Sequence, residues 1–312
     1  METFWDINNI YPHVESVITV GTFDGIHKGH QSIINKLIAR AKNSNCKSTL
    51  VTFEPHPGLV VGNRGLLPLD LLTTIEEKID ILEQMGLDRF LVTNFTQSVA
   101  SLSADEFIKN ILLQKLNMKQ IVIGYDHSFG KDRQGNIELL VKYGKEYNFS
   151  VDAIEPVKIN DDIVSSTKIR KYLHDGDVAK ANELMGRNYS IRGQVIKGDG
   201  RGKKLGFPTA NIRCFSQYKL VPKVGVYATK IKVDGMIHDS VTYIGTRPTF
   251  NLSKKVIEVN IDNFDRELYD QEVELYFVQF IRDDVKFASV AELVPQIESD
   301  KKNAIKILQL YN

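Results

Sequence analysis

Two histidines three residues apart, His27 and His30, follow the β-branched run Val17-Ile18-Thr19-Val20 across a turn that opens at Gly21 and contains Gly25. A strand that ends in such a turn and enters a helix presents backbone N–H groups and the positive end of the helix, which together receive a phosphate chain. The spacing puts both imidazoles on one face of the first helical turn. Gly29 between them removes a side chain where a ligand must come close. Phosphate binding is therefore the chemistry these residues favour. An exposed helix face is one alternative. A zinc site is another, but it needs a third or fourth ligand, and neither Cys46 nor Cys214 lies near in sequence.

Three further clusters lie in the same half. Phe53-Glu54-Pro55-His56-Pro57 follows a second strand-like run, and its two prolines stiffen a loop that cannot join a sheet. Gly124-Tyr125-Asp126-His127-Ser128-Phe129-Gly130 follows another, with Phe129 able to stack on a flat ring. Both loops also read as plain connectors. In Val164-Ser165-Ser166-Thr167-Lys168-Ile169-Arg170 the hydroxyls can cap a helix or donate to phosphate. Arg170, one turn in, adds a forked cation suited to phosphate oxygens. Ser165 and Lys168 also match the Ser-x-x-Lys spacing of acyl-enzyme nucleophiles, but the Ser-Asp-Asn and Lys-Thr-Gly partners are absent.

A second candidate site spans 198–211, Gly-Asp-Gly-Arg-Gly-Lys-Lys-Leu-Gly-Phe-Pro-Thr-Ala-Asn. Glycines interleaved with cations suit a loop that wraps phosphates with backbone N–H groups, and a plain hairpin is the competing reading. No Gly-x-x-x-x-Gly-Lys-Ser/Thr register fits, so this is not a Walker A loop. Thr209 and Asn211 are oxygen donors able to hold Mg²⁺, which keeps several waters and leans on phosphate oxygens.

The elements that must carry these clusters differ between the halves. Up to about residue 185, strand candidates at 17–20, 49–53, 90–92 and 120–124 alternate with helical patterns such as Ile33, Ile34, Leu37, Ile38, Ala41 and Ile75, Ile79, Leu82. Thr73 or Thr74 is expected to cap the second helix. This alternation predicts a doubly wound α/β parallel sheet, whose ligands bind beyond the C-terminal strand ends. After about residue 187, runs at 189–196, 226–233, 240–244, 256–262 and 273–280 predict a small antiparallel β-barrel. A C-terminal helix is expected from about Ser289. The domains expected are therefore 1–185 and 186–312.

A chain of 312 residues suffices for two cores, and a net charge of +1 gives no electrostatic reason to expect nucleic acid or membrane as partner. No apolar run approaches a membrane span. Met1–Asp6 lack the basic start and apolar stretch of a signal peptide, and two distant cysteines suit a reducing compartment. The expected location is the cytoplasm.

Strand, glycine turn and His-x-Gly-His resemble the signature of nucleotidyltransferases that attack the α-phosphate of ATP. Together with Phe-Glu-Pro-His-Pro, Gly-Tyr-Asp-His-Ser-Phe-Gly and Ser-Ser-Thr-Lys-Ile-Arg, in this order, they resemble the bacterial bifunctional riboflavin kinase/FMN adenylyltransferases, also called FAD synthetases. The 198–211 segment is similar to that family's flavokinase signature. Gly225-Val226-Tyr227, Ile244-Gly245-Thr246-Arg247-Pro248-Thr249-Phe250, Ile257-Glu258-Val259-Asn260 and Ile281-Arg282-Asp283-Asp284 extend the likeness over essentially the whole chain. Small departures are Lys203 for arginine, Asn260 for histidine, Asp270 for glycine and Asp284 for glutamate.

The resemblance implies a Rossmann-like adenylyltransferase half and a riboflavin kinase half, with ATP as co-substrate, Mg²⁺ as cofactor, and riboflavin and FMN as small-molecule substrates. It implies that Gly21, Phe23, Asp24, His27, His30, Ser165, Ser166, Thr167 and Arg170 bind ATP in the first half. Flavin there falls to Phe53, Pro55, His56, Asp126 and Phe129. In the second half it implies ATP binding by Gly198, Gly200, Gly202, Lys204, Gly206, Pro208, Thr209 and Asn211, with Thr209 and Asn211 on the metal. Tyr227 and Arg282 are expected to contact flavin. Glu258 is the expected general base, since a ribityl hydroxyl must lose its proton; FMN phosphate is already ionised and needs none. The alternatives are an enzyme retaining one activity, or a flavin-binding regulator without turnover.

Overall fold

In the computed structural model the described residues are all except Pro12, 62–69, Asp126, 132–133, 161, 199, 201, 203–204, 249–252 and Asn312. Contacts divide the chain into two compact units, Met1–Ser165 and Ser166–Asn312.

The first unit is a six-stranded parallel sheet. Its strands are β1 (Glu2–Phe4), β2 (Ser16–Val20), β3 (Lys47–Glu54), β4 (Arg89–Asn94), β5 (Met118–Gly124) and β6 (Ser150–Ile154), in spatial order β1-β4-β3-β2-β5-β6. Helices α1 (Lys28–Asn43), the short α2 (Pro57–Val60) and α3 (Ile75–Gln84) link β2 to β4. Short turns α4 (Gln97–Ala100) and α5 (Ala104–Glu106), a wide helical stretch Phe107–Lys115 and α6 (Ile137–Tyr147) complete the crossovers. Successive strand residues face opposite layers. Val17, Leu50, Phe90 and Val122 pack against Ile34, Leu37 and Ala41 of α1 and Leu82 of α3. Ile18, Val51, Leu91 and Ile121 pack against Phe107, Ile108, Leu112 and Leu140. Both faces are thus covered, as a doubly wound sheet requires.

Strand order reverses at β2, which pairs with β3 on one side and β5 on the other. The crevice beyond the strand ends at such a reversal is where ligands enter these sheets. The turn after Val20 and the loop after Gly124 both start there. Of the two threonines expected to cap α3, Thr74 does so, in a reciprocal pair with Glu77.

The second unit opens with α7 (Ser166–Asp175) and α8 (Val178–Met185). Asn182 ties α8 to the barrel, donating to the Phe277 carbonyl (2.8 Å) and accepting from the Tyr189 N–H (2.7 Å). These contacts place the division between compact units at Ser165/Ser166, ahead of 185/186. A two-stranded ribbon of β7 (Lys158–Ile159) and β8 (Asp162–Ile163) lies in the first unit. The barrel strands are β9 (Tyr189–Ile196), β10 (Ala210–Cys214), β11 (Gly225–Val233), β12 (Met236–Pro248), β13 (Ser253–Ile261) and β14 (Glu272–Arg282). They form a closed antiparallel ring in the order β10-β13-β12-β11-β14-β9. Helix α9 (Val290–Gln309), capped by Ser289, lays Ala304 and Leu308 on Ala228 and Val278 outside the barrel.

Candidate active sites

The first-unit site is a tightly held turn. Asp24 is buried, and its carboxylate accepts the N–H groups of Leu72 (3.0 and 3.1 Å) and Thr73 (2.9 Å) and the Thr73 hydroxyl (3.3 Å). The Gly25 N–H donates to the Thr73 hydroxyl (2.8 Å). Asp24 thus fastens the turn to the segment before α3, and its oxygens face protein. Phe23 and Ile26 are non-glycine residues at φ 46° and 35°, a conformation that persists only where surrounding contacts hold it.

His27 caps α1, its Nδ1 accepting the His30 N–H at 3.3 Å, which assigns the proton of the neutral ring to Nε2. The rings of His27 and His30 stack with centroids 3.6 Å apart, and His30 lies 5.0 Å from the Phe23 ring. His27 is buried and His30 half-buried. A Cβ on Gly29 would meet His27 at 3.2 Å and the Val164 carbonyl at 3.6 Å. The fold therefore brings the end of the Val164–Ser165 segment to the histidine turn. Ser166, Thr167 and Arg170 follow directly on α7, in the second unit.

The expected flavin residues of this unit are placed as follows. Phe53 ends β3 edge-to-face with Phe95 at 5.3 Å, and His56 caps α2 by accepting the Gly58 N–H at 3.1 Å. Pro55 joins them. Phe129 packs its ring against Phe107 (5.9 Å) and across Gly135, where a Cβ would be 2.6 Å away. Its ring belongs to the packed layer under the loop. Asp126, expected beside it, lies outside the described residues.

In the second unit the register assembles what the sequence separates. Asn211 of β10 pairs with Glu258 of β13, and Glu258 pairs with Tyr243 of β12. Residues directly opposite share a face, with Cβ atoms about 5 Å apart. The adjoining row, Ile212, Ile257 and Ile244, is buried inside the barrel. Asn211, Glu258 and Tyr243 therefore stand on the outer surface, where they are half-buried. The Tyr243 hydroxyl donates to Asp284 (3.1 Å). Burial first, then Asp284 and Glu258, push Tyr243 up to about 12, so it stays a donor at neutral pH.

The glycine-rich segment meets this row at Asn211. A Cβ on Gly198 would sit 2.2 Å from the Asn211 amide nitrogen and 3.0 Å from its oxygen. One on Gly202 would meet the Phe207 carbonyl at 2.3 Å and the Thr209 hydroxyl at 3.3 Å. Gly200 and Gly206 take left-handed φ values of 66° and 85°. The Gly202 carbonyl accepts from Leu205 and Phe207, and the Pro208 carbonyl accepts from Asn260 (2.8 Å). Lys204 lies outside the described residues, as do Lys203, Thr249 and Phe250.

The two expected flavin contacts of this unit are placed as follows. Tyr227 is fully buried within the barrel, edge-on to Phe277 and Phe280, with its hydroxyl on the Lys223 carbonyl (2.5 Å). Arg282 forks onto Asp300 of α9 (2.7–3.1 Å) and so pins that helix to β14. The sequence pattern does not single out Tyr243, which stands inside a strand.

Comparison with known proteins agrees with this two-part geometry. A family model described as FAD synthetase matches residues 11–168, and one described as riboflavin kinase matches 185–308. A Bacillus subtilis protein named bifunctional riboflavin kinase/FMN adenylyltransferase is 38% identical over 94% of this chain and 92% of its own length. The chain belongs to the bifunctional riboflavin kinase/FMN adenylyltransferase family. A member from Buchnera aphidicola of Schizaphis graminum is 40% identical over 95% of this chain and 94% of its own. A Streptococcus pneumoniae crystal structure described as a macrolide-efflux protein superposes with a TM-score of 0.88 at 30% identity, covering 96% of this chain and 97% of that one. Among the described residues of this family member, no helix is long and apolar enough to cross a membrane.

Proposed function

We propose that the second unit moves the γ-phosphoryl group of ATP to riboflavin, giving FMN and ADP, and that the first moves AMP from ATP to FMN, giving FAD and pyrophosphate. In domain terms, 1–185 carries adenylyl transfer and 186–312 carries phosphorylation. The match of both family models over one chain disfavours a single retained activity or a regulator without turnover. The observation that carries the reading is the Asn211–Glu258 pair, with Gly198 close against the Asn211 amide, since it sets a carboxylate beside the glycine-rich segment.

In the kinase unit Glu258 takes the proton of the attacking ribityl hydroxyl, a contribution of about 10²–10⁴ in rate. Loop N–H groups from Gly198 to Gly206 hold the phosphates. The Thr209 hydroxyl and Asn211 amide oxygen, gathered where Cβ atoms on Gly202 and Gly198 would intrude, suit Mg²⁺ bound mainly through water and phosphate. Among the described residues no cluster of three acidic, histidine or cysteine side chains offers a denser metal site. The ion, when bound, offsets charge on the transferred phosphoryl group.

In the adenylyltransferase unit the nucleophile is an FMN phosphate oxygen, ionised at neutral pH. The task is then positioning and charge neutralisation, with His27 and His30 on the ATP phosphates. Asp24 contributes by holding the turn, and Ser165, Ser166, Thr167 and Arg170 supply donors for the departing pyrophosphate. The location that suits these substrates is the cytoplasm, with no nucleic-acid partner. Incubation with riboflavin, ATP and Mg²⁺ followed by flavin chromatography tests the reading. FAD supports it, FMN alone or unchanged riboflavin contradicts it.

A further inference from the structure

Lys78 lies on α3 and is almost wholly buried, at 4% exposure. Its Nζ donates to the Thr22 carbonyl at 2.8 Å, and the Thr52 hydroxyl approaches the same oxygen at 3.4 Å. Thr22 is the second residue of the turn that carries His27 and His30. Burial dominates and lowers the Lys78 pKa, against Asp24, Glu54 and Glu77, which favour the charged form. A buried ammonium aimed at one backbone carbonyl is an expensive arrangement for a helix lysine, which ordinarily extends into water.

The geometry gives that arrangement a consequence. In a trans peptide the C=O and the next N–H point in opposite directions. Drawing the Thr22 carbonyl inward onto Lys78 turns the Phe23 N–H the other way, off the α3 side of the turn. The next residue, Phe23, sits at φ 46°, so the peptide is held in a conformation it would otherwise leave. Of the later N–H groups in the turn, that of Gly25 is used by Thr73 and that of Ile26 by the Phe23 carbonyl (3.2 Å).

We infer that Lys78 is a positioning residue for adenylyl transfer: it fixes the Thr22–Phe23 peptide so that the Phe23 N–H is presented to the ATP phosphates. This rests on assigning adenylyl transfer to the His27–His30 turn. It acts through the backbone and does not touch the reacting atoms.

The test uses the full chain and both of its reactions. The unsubstituted protein must first convert added FMN to FAD, which tests the underlying assignment separately. Lys78→Met is then expected to lower kcat for FMN adenylylation at least tenfold, with KM for FMN and riboflavin phosphorylation each within twofold. Lys78→Arg, which keeps a cationic donor, is expected to recover threefold or more of the loss. Lys78→Gln serves if methionine prevents folding of the first unit, with the same loss expected. Adenylylation within twofold of the parent in a folded Met or Gln variant overturns the inference. So does equal loss in the arginine variant, or failure of both neutral variants to fold, which would make Lys78 a folding residue only.

Discussion

Asn211 and Glu258 are direct partners across the β10–β13 ladder, and Gly198 approaches so closely that a methyl group there would lie 2.2 Å from the Asn211 amide. An amide oxygen donor, a carboxylate and the backbone of a glycine-rich loop thus meet at one register position on the outside of a barrel.

Gly198→Ala should expose that dependence. The added Cβ must displace either the loop or the Asn211 side chain, and an ångström of misplacement costs about 10²-fold in favourable cases. Riboflavin phosphorylation is expected to fall at least tenfold, while conversion of added FMN to FAD stays within twofold. Unchanged phosphorylation would show that the loop does not need this close approach.

Asp270 sits at φ 63° and donates its N–H to the Val195 carbonyl (2.9 Å). Left-handed backbone costs an L-residue about 1–2 kcal/mol; glycine relieves that strain, at an entropic cost of about 0.5–1 kcal/mol from its freer unfolded chain. Asp270→Gly is therefore expected to stabilise the second unit by about 0.5–1 kcal/mol in urea unfolding followed by barrel signals. A destabilised variant would mean the aspartate side chain makes a contact worth more than the strain.

Asp88 accepts the Ser48 N–H (2.9 Å) and hydroxyl (2.7 Å) and faces Lys47 (3.2 Å), joining the starts of β3 and β4. Partial burial opposes its charge, but the Ser48 bonds and Lys47 outweigh it and hold the carboxyl below its ordinary range. A depressed folded value gives stability that is complete above the unfolded pKa, about 3.9, and disappears as pH falls through the lower folded value. Asp88→Asn is expected to cost about 1 kcal/mol at pH 7, the figure for charged hydrogen bonds reduced for exposure. Its deficit should shrink toward zero in acid. A deficit that persists undiminished at pH 2–3 would assign the loss to shape rather than charge.

How far the residues alone reached differs by element. The strand–turn–helix around 17–30 was legible because β-branched residues, glycines and paired histidines each pointed to the same geometry. The barrel strands carrying Glu258 and Tyr227 alternate cleanly enough to be found, yet alternation does not say which face looks inward. A one-residue shift of register decides it, and here Tyr227 faces the core. Strand β10 escapes the periodicity because Ala210–Cys214 holds one large inward residue, Ile212, although Asn211 stands out as an oxygen donor beside the glycine-rich segment. Its pairing with Glu258 is a matter of register between distant segments. Lys78 was invisible for another reason: composition cannot distinguish a solvated helix lysine from one buried beneath a turn.

The central claim is the separation of the two transfers between Glu258 and the His27–His30 turn, and crossing two substitutions tests it most directly. Each variant is given riboflavin or FMN with ATP and Mg²⁺, and the flavins are separated. Glu258→Gln is expected to lose FMN formation by about 10²-fold or more while still converting added FMN to FAD. His30→Ala is expected to accumulate FMN and fail to make FAD. A folded variant in which either substitution stops both reactions would contradict the account.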